Sequence, residues 1–394
     1  MHTVALVLFL LSAAALFYFT LGYPIVFVLQ RRSGGPIRKE FVPRSVSVLI
    51  VVHNGHAFLR AKLESVLALD YPRELMEILV VSDGSTDETE AIAMDFAARG
   101  VQLLRVPRGG KAAALNAAIP RLHGDILVLT DVRQALASDS LRLLVSCFAD
   151  ATVGAVSAEL RILAGARREE SDLGLYWRYE VWMRTQMSRI YSTFGANGPY
   201  YAIRRELAEP MPPDTLLDDV VMVLPALFRG YRTILEPDAK AFDFPTTLKS
   251  EFRRKLRTLA GLWQVCVRHP ALFSSANPIR FHFVSHKAGR LLLPYLLLCL
   301  TLSAAGLPAP WRTWFLGALA LFYATGLLDP VVPQIFILKR VTSPIRTFLA
   351  MCTASLCSVS VFFVPPQRLW KITQVSRPAA GVEGSAADPG PPSS

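Results

Sequence analysis

A chain of 394 residues is longer than one hydrophobic core usually serves, since single cores stop growing at roughly 250 to 300 residues, so two structural parts are expected. With 52% hydrophobic residues and a mean hydropathy of +0.35, the composition excludes an ordinary soluble protein and indicates a membrane protein. The net charge of +11 indicates an anionic contact, and because basic motifs interleaved with aromatic residues are absent, we favour lipid or phosphate over nucleic acid.

The first predicted element is a membrane-spanning helix. Residues from Val4 to Leu29 are almost all apolar, and at about 1.5 Å rise per residue this run can cross a hydrocarbon core of about 30 Å. A cleaved signal peptide is the alternative, but its shorter apolar region follows positive charge, which "MHT" lacks. The basic residues after the run predict a cytoplasmic flank, so residues 40–288 should be cytosolic. These basic residues are Arg31, Arg32, Arg38 and Lys39.

A region in which strand patterns alternate with helix patterns follows. The β-branched run "SVSVLIVVHNG" precedes helical spacing in "HAFLRAKLESVLAL", and the order repeats through "MEILVVSDGSTDET", "VQLLRVP", "GGKAAALNAAIPRL" and "DILVLTD". This alternation predicts an α/β fold with a mostly parallel sheet and helices on both faces. In such folds ligands bind at the carboxyl ends of the strands.

Two motifs at strand ends and helix starts could hold a nucleotide. Asp83 ends the strand in "VVSDGSTDET", where a carboxylate can accept hydrogen bonds from a base or a ribose, with turn and helix capping as the alternative. Lys111 follows two glycines in "RGGKAAALN" and starts a helix, where backbone N–H groups and one ammonium form an anion site. Alone, such a lysine is more often solvated; beside Asp83, a phosphate role is favoured.

Two further patterns could supply a metal ligand and a base. Asp131 ends the buried strand "DILVLTD", a natural place for an acid that holds a metal and its phosphates, but Arg133 stands where a second acid would share the metal. The stretch "TLLDDVVMVLPALFRGYR" begins with two acids and continues as an apolar helix. One of two adjacent carboxylates can have a raised pKa, which suits a general base. We expect Asp218 to cap the helix and Asp219 to face the cleft.

The basic run "KSEFRRKLRTLAGLWQ" allows two interpretations. Such a run usually forms a solvated or lipid-facing surface. Alternatively, Arg254 and Arg257 share a helix face through their spacing of three and could neutralise a diphosphate leaving group.

The C-terminal third contains three more candidate spans, Leu291–Leu307, Trp311–Leu328 and Phe348–Val364. Four spans would leave both termini outside, whereas the following basic residues favour a cytosolic end, so the topology of the last segment stays open. Ser376–Ser394 is predicted to be a disordered tail because it is rich in Pro, Gly, Ala and Ser. The basic residues are Arg368, Lys371 and Arg377. The expected divisions are an N-terminal helix (1–30), a basic linker (31–44), the α/β domain (45–270), an interfacial segment (271–290), C-terminal helices (291–366) and a tail (367–394).

In this order, the motifs resemble the family 2 glycosyltransferases, membrane-bound inverting enzymes related to cellulose, chitin and hyaluronan synthases. The resemblance covers about residues 45–264 and implies a GT-A nucleotide-sugar-binding α/β domain with flanking transmembrane helices. It also implies a role for each matching residue. These are Asp83 for the nucleoside, Lys111 near the nucleotide, Asn116 in the supporting loop, Asp131 for the metal, Gly195, Asn197 and Gly198 on the acceptor side, and Asp219 as the base.

The chain departs from the family pattern at two places. The metal motif Asp-x-Asp is Asp131-Val132-Arg133 here, and the Gln-x-x-Arg-Trp pattern falls on Arg254, Arg257 and Thr258. Because Mg²⁺ or Mn²⁺ on phosphates keeps several waters, one carboxylate can suffice. We therefore predict a weakly held Mg²⁺ or Mn²⁺ at Asp131, with Arg133 sharing the diphosphate or pairing with Asp131.

The resemblance implies transfer of a sugar from a nucleotide diphosphate donor, with a UDP-sugar favoured, to a glycan or lipid hydroxyl in polysaccharide or glycolipid synthesis. The apolar runs and their basic flanks predict a multi-pass cell-membrane protein with a cytoplasmic catalytic domain, contacts with membrane lipid and no nucleic-acid partner, while an export partner stays open. The alternatives are a lipid-phosphate glycosyltransferase that adds a single sugar, and a catalytically inactive nucleotide-sugar-binding scaffold, which Arg133 and Thr258 would favour.

Overall fold

A computed structural model describes residues 2–29, 35–163, 170–243, 248–333 and 336–365. The predicted tail and part of the basic linker lie outside these residues, as do the basic residues expected to mark a cytosolic C-terminus.

In the described part of the chain, one eight-stranded sheet forms the centre, with the strand order β3-β2-β1-β4-β7-β6-β8-β5. Strands β1 to β4 are mutually parallel, and β6 is parallel to β8; β7 runs antiparallel to β4 and β6, and β5 antiparallel to β8. The strands are β1 (Val46–Val52), β2 (Met76–Asp83), β3 (Val101–Val106), β4 (Ile126–Asp131), β5 (Ala135–Leu136), β6 (Val153–Ile162), β7 (Tyr200–Arg204) and β8 (Arg232–Asp243). The parallel half follows the prediction, and the other half makes the sheet mixed.

The central strands are buried on both faces, which explains their nearly continuous apolar sequences. In β1, Val48 and Ile50 point into one hydrophobic core, and Leu49 points into the other. Because side chains alternate across a strand, one short apolar run supplies both cores. Each core is covered by helices, which leaves the carboxyl ends of β1, β2 and β4 at one open edge.

The helices of this domain agree with the prediction in its first half. They are α3 (His56–Leu67), α4 (Thr89–Asp95), α5 (Lys111–Ala118), α6 (Ser140–Ser146), α7 (Glu170–Ile190), α8 (Asp218–Val221), α9 (Leu224–Phe228) and α10 (Leu248–Arg268). The prediction of one apolar helix after Asp218 is wrong, because two short helices stand there. Pro225 lies in the first turn of α9, where its missing N–H is tolerated, whereas within one long helix it would remove a hydrogen bond.

Four helical segments are long and apolar enough to cross a membrane: His2–Phe27, Arg280–Ala305, Trp311–Val331 and Leu338–Phe362. The first consists of α1 (His2–Phe17) and α2 (Tyr23–Leu29), joined by a π-helical turn. The second consists of α11 (Arg280–His282), a π-helical stretch at Phe283–Ala288 and α12 (Gly289–Ala305). The others contain α13 (Trp311–Leu328) and α14 (Phe336–Ser358).

Two boundaries differ from the prediction. The last helix begins at Phe336 and not at Phe348, and two charged side chains of this added part pair with Asp329. Lys339 Nζ lies 3.1 Å from Asp329 Oδ1, and Arg346 Nη1 lies 3.2 Å from Asp329 Oδ2. In addition, the end of the expected interfacial segment, from Arg280 onward, is helical and continues into α12.

Candidate active site

The carboxyl edge of the sheet gathers an ammonium and three carboxylates from distant parts of the chain. Lys111, at the start of α5, lies 2.8 Å through Nζ from Asp131 Oδ1 at the end of β4. The same ammonium lies 2.9 Å from Oδ2 of Asp218, the first residue of α8, and Asp219 follows directly. The structure therefore brings together four of the residues selected from sequence.

The charges at Lys111 and Asp131 stabilise each other. Burial acts to raise the pKa of Asp131, but the neighbouring Lys111 ammonium lowers it below the usual value. For Lys111, burial acts to lower the pKa, but Asp131 and Asp218 raise it well above the usual value. Both side chains are thus ionised at neutral pH.

Asp218 does not cap its helix with its side chain, so the capping prediction is wrong. Its carboxylate pairs with Lys111 instead. In a nearly buried site, an ion pair with an ammonium is a stronger interaction than a hydrogen bond to a neutral N–H group.

Asp219 has the properties of a general base. Burial, together with the neighbouring Asp218, raises its pKa to about 6, while Lys111, Arg184 and Arg257 limit the rise. The Gly198 N–H donates a hydrogen bond of 3.1 Å to Asp219 Oδ2. A carboxylate with a pKa near the working pH can both accept and release a proton.

Two asparagines suggested by the resemblance hold loops around Asp219. The Asn197 side chain donates to Ala158 O at 3.1 Å, which fixes the turn that presents Gly198. The Asn116 side chain donates to Met211 O at 2.6 Å and accepts from Met211 N–H at 3.0 Å. Asn116 therefore fastens the loop that leads to Asp218.

The carboxylate of Asp83, which was expected to bind the nucleoside, has partners within the protein. Its buried carboxylate pairs with Arg108 and accepts hydrogen bonds from the Gly109 N–H at 2.7 Å and the Gly110 N–H. Gly84 has φ +60°, and a Cβ there would lie 2.8 Å from Arg108 N, so the turn depends on glycine. The nucleoside role of Asp83 remains a prediction.

Arg133 pairs with Asp243, which was not predicted, while its contact with a donor diphosphate remains a prediction. Its Nε donates to Asp243 Oδ1 at 2.8 Å, and Nη2 donates to Asp243 Oδ2 at 2.5 Å. Asp243 ends β8 and is 4% exposed, so a buried carboxylate attracts the guanidinium more strongly than Asp131, which is bound to Lys111. The expectation that Arg133 pairs with Asp131 is therefore wrong.

Arg257 of α10 lies near the carboxylates. Burial lowers the pKa of Arg257, whereas the negative charges of Asp218, Asp131 and Asp219 act to raise it. Arg254 lies near Arg257 on the same helix. Thr258 is exposed and donates to Arg254 O at 2.9 Å.

Sequence reasoning missed Lys62, which is buried beneath Asp131. Its Nζ donates to Thr130 Oγ1 at 2.6 Å and to Gln134 O at 2.8 Å, and burial lowers its pKa to about 7. Lys62 shares the buried face of α3 with Leu59 and Leu63. A lysine within an apolar stripe was the signal that could have identified it.

Tyr201 was missed as well. Its hydroxyl is buried without a hydrogen-bond partner in the described part of the chain. Burial and then Asp218 raise its pKa well above the usual value, which places the phenol close to the acid pair. No signal in "GPYYAIRREL" distinguishes it from the neighbouring Tyr200.

The donor set at this edge fits a divalent cation with one protein ligand. Within the described ranges, no group of three His, Cys, Asp or Glu side chains is arranged to hold a metal. The Asp131 side chain is 38% exposed, so part of its carboxylate is accessible. Mg²⁺ is usually bound through one or two carboxylates together with substrate phosphates, so Asp131 could hold such an ion.

Comparisons with known sequences identify similar proteins. Residues 47–210 match the model of the family described as "Glycosyl transferase family 2". A probable glycosyltransferase of Bacillus subtilis is 27% identical over 257 residues, which are 60% of each chain. A β-monoglucosyldiacylglycerol synthase of Synechocystis sp. is 33% identical over 122 residues, which are 30% of this chain and 26% of the relative. The chain thus spans less than two thirds of the length of these relatives.

A solved structure has the same fold. It is a mannosyltransferase from Pyrobaculum calidifontis, in complex with GDP-Man and Mn²⁺, and it superposes with a TM-score of 0.71. The two chains are 24% identical, and the match covers 91% of this chain and 98% of the other. At this identity the likeness shows the fold alone.

Proposed function

The chain belongs to glycosyl transferase family 2 through residues 47–210, and from this membership we propose that it is a membrane-bound inverting glycosyltransferase. In this proposal it transfers a sugar from a nucleotide diphosphate donor to a hydroxyl acceptor. The observation that carries the proposal is the pair Asp218 and Asp219 beside Lys111. Asp218 pairs with the Lys111 ammonium, and the pKa of Asp219 is raised to about 6. This arrangement suits an enzyme that removes a hydroxyl proton next to an anionic donor.

The mechanism is a single displacement. Asp219 accepts the hydroxyl proton while the acceptor oxygen attacks the anomeric carbon from the side opposite the diphosphate, which inverts that carbon. The bond to the diphosphate oxygen breaks, and the nucleoside diphosphate leaves with the electron pair. Lys111 and Arg257 lie next to the carboxylates of the site. In this proposal their positive charges neutralise the diphosphate leaving group.

A divalent metal would be held by Asp131 and by phosphate oxygens of the donor. When bound, Mg²⁺ or Mn²⁺ supplies positive charge to the departing diphosphate. The P. calidifontis mannosyltransferase was solved in complex with Mn²⁺, which makes Mn²⁺ a candidate ion here. Because Arg133 is engaged with Asp243, we assign one protein carboxylate to the metal and expect weak binding.

A lipid acceptor and a membrane location are the favoured setting. The name of the Synechocystis relative describes glucosyl transfer to diacylglycerol, and four helices here are long and apolar enough to span a bilayer. We propose a multi-pass protein with its catalytic domain on the cytoplasmic side, consistent with the basic residues Arg38 and Lys39 after the first helix. Both UDP- and GDP-sugars are candidate donors.

The test uses the full-length chain in membranes with labelled UDP- and GDP-sugars. We expect Asp219→Asn to lower transfer by about a hundredfold or more, because general-base catalysis is lost, while donor binding is retained. Asp95→Asn is the control, because Asp95 is a surface acid paired with Arg60. Unchanged turnover in Asp219→Asn would remove this residue from the mechanism.

A nucleotide-sugar-binding scaffold without catalysis is the second candidate. This candidate is favoured by Arg133, which occupies the sequence position of a second metal ligand and forms an ion pair with Asp243. Donor binding by calorimetry, without product under any divalent metal, would support the scaffold and contradict the enzyme.

A further inference from the structure

A group of basic side chains surrounds one buried carboxylate where α7 meets the span Arg280–Ala305. Glu180 of α7 pairs with Arg290, and its Oε2 lies 3.6 Å from Lys287 Nζ. His286 Nε2 lies 3.9 Å from Glu180 Oε1. We call Arg184, His286, Lys287 and Arg290 the basic cluster.

Three positive charges of this cluster surround one carboxylate. Burial acts to raise the pKa of Glu180, but Arg290, Lys287 and other members of the cluster lower it well below the usual value, so Glu180 is ionised. One carboxylate then faces three groups that carry positive charge, those of Arg184, Lys287 and Arg290. Positive charges that are grouped this closely and largely removed from water attract an anionic ligand.

His286 provides an independent sign of a missing ligand. Arg290 Nη2 lies 2.5 Å from His286 Nε2; because a guanidinium can only donate, this nitrogen accepts, and the ring proton is on Nδ1. The His286 side chain is 3% exposed, and its Nδ1 has no hydrogen-bond partner within the described residues. A buried N–H donor without an acceptor is costly unless a ligand supplies one.

The basic cluster is connected to the candidate base. Arg184 Nη1 donates to Ala196 O at 3.3 Å, and Ala196 N–H donates to Asp219 O at 3.2 Å. Arg184 is also among the charges that limit the rise of the Asp219 pKa. A ligand at the cluster would therefore lie near the group that accepts the acceptor proton.

The span that contains His286, Lys287 and Arg290 packs against the first span. Tyr18 Oη and Ser285 Oγ are 2.7 Å apart, and Tyr23 Oη and His282 Nδ1 are 3.0 Å apart. Tyr23 also stacks on the His286 ring, with centroids 5.8 Å apart. The cluster is therefore formed by α7 and the span Arg280–Ala305, and the first span packs against it.

We propose that the basic cluster binds the phosphate of an anionic lipid acceptor and thereby places a free hydroxyl of its headgroup at Asp219. This inference rests on the proposed glycosyltransferase activity and names its acceptor class. The headgroup hydroxyl oxygen forms the new bond to the anomeric carbon, its proton moves to Asp219, and the nucleoside diphosphate leaves. The lipid phosphate stays unchanged and serves as the handle.

The experiment uses the full-length protein in phosphatidylcholine vesicles that contain either phosphatidylglycerol or diacylglycerol, with labelled UDP- and GDP-sugars. Phosphatidylglycerol carries a phosphate and free hydroxyls, whereas diacylglycerol carries a hydroxyl without phosphate. We expect preferential glycosylation of phosphatidylglycerol. Equal use of both lipids, or a preference for diacylglycerol, would overturn the proposal.

Charge variants then test the cluster itself. Lys287→Gln and Arg290→Gln should each raise the KM for phosphatidylglycerol about tenfold, as expected for the loss of a charge-assisted contact. Arg280→Gln is the matched control, because Arg280 is exposed at the start of the same span, and it should leave that KM unchanged. An unchanged KM in both cluster variants would contradict the proposal.

A double variant separates ligand binding from folding. Glu180→Gln with Arg290→Gln removes one charge of each sign. The net charge of the site therefore stays the same, while one contact to the lipid phosphate is lost. We expect the double variant to keep the raised KM for phosphatidylglycerol. Recovery of the original KM would mean that Arg290 only balances Glu180, which would overturn its role in lipid binding.

Two further arms distinguish other failures. Glycerol 3-phosphate in solution replaces the lipid in one arm; we expect little product, and product at a comparable rate would reassign the site to a soluble phosphate. Hydrolysis of the donor without acceptor is followed in the other arm. Donor turnover that does not respond to the lipid phosphate overturns this inference alone, whereas absence of donor turnover with any sugar contradicts the proposed function.

Discussion

The Lys111 ammonium lies 2.8 Å from Asp131 Oδ1, so the carboxylate expected to hold a metal already has a cation of the chain beside it. The same ammonium reaches Asp218, and its charge also lowers the pKa of Asp219. One lysine thus influences both the leaving-group side and the base side of the candidate site.

The pH dependence of transfer should report the Asp219 pKa of about 6. Because the base must be ionised, kcat/KM should rise through pH 6 and level off above it. Lys111→Met removes a positive charge that lowers this pKa, so the acidic limb should move to higher pH, whereas Lys111→Arg should leave it near 6. Initial rates across pH measure the shift, and an identical limb in both variants would contradict the coupling.

Gly198→Ala should impair catalysis through the position of Asp219. A Cβ at residue 198 would lie 3.1 Å from Asp219 Oδ2, which is closer than most Cβ contacts, so the carboxylate must move. We expect kcat to fall about tenfold, since small displacements of a catalytic group are costly. Gly317→Ala is the control, because nothing lies within 4 Å of its Cβ position. Equal kcat in the two variants would show that the contact is tolerated.

Lys62 should make stability depend on pH. The pKa of Lys62 is about 7 in the folded protein, whereas its ordinary value is 10.5. Between these two pH values, the unfolded chain therefore binds more protons than the folded protein. The free energy of unfolding should therefore rise with pH across this window, and Lys62→Met should lack this contribution. Apparent melting temperatures at both ends of the window measure the effect. Lys240→Met is the control, and a parallel response of wild type and Lys62→Met would contradict the buried amine.

The Arg133–Asp243 pair should contribute to stability. Arg133→Ala takes the guanidinium away from a carboxylate that is 4% exposed, and we expect a loss of about 2 kcal/mol, less than for a fully buried pair because Arg133 is partly exposed. Arg133→Gln with Asp243→Asn keeps hydrogen-bonding groups without charge and should recover most of the loss. Denaturant unfolding measures both variants. A double variant as unstable as Arg133→Ala would show that charge balance is not the cause.

The sequence alone determined the parallel half of the sheet and the residues at its carboxyl edge. Apolar runs of strand length placed Asp83 and Asp131 at strand ends, because backbone geometry and hydrophobic burial act locally along the chain. The same local logic placed Lys111 and Asp219 at helix starts. The mixed half of the sheet was not predicted, since β5 to β8 pair through long connections.

Only the tertiary structure decided which charges meet. Arg133 binds Asp243, a residue 110 positions later, and Lys111 bridges Asp131 and Asp218 from three separate elements. The basic cluster likewise joins Glu180 to residues of a helix about a hundred positions away. Ion pairs form between side chains that the fold makes neighbours, and their strength depends on burial. Neither the spatial neighbours of a side chain nor its burial can be derived from residue spacing. The acids were therefore predicted, while their partners were not.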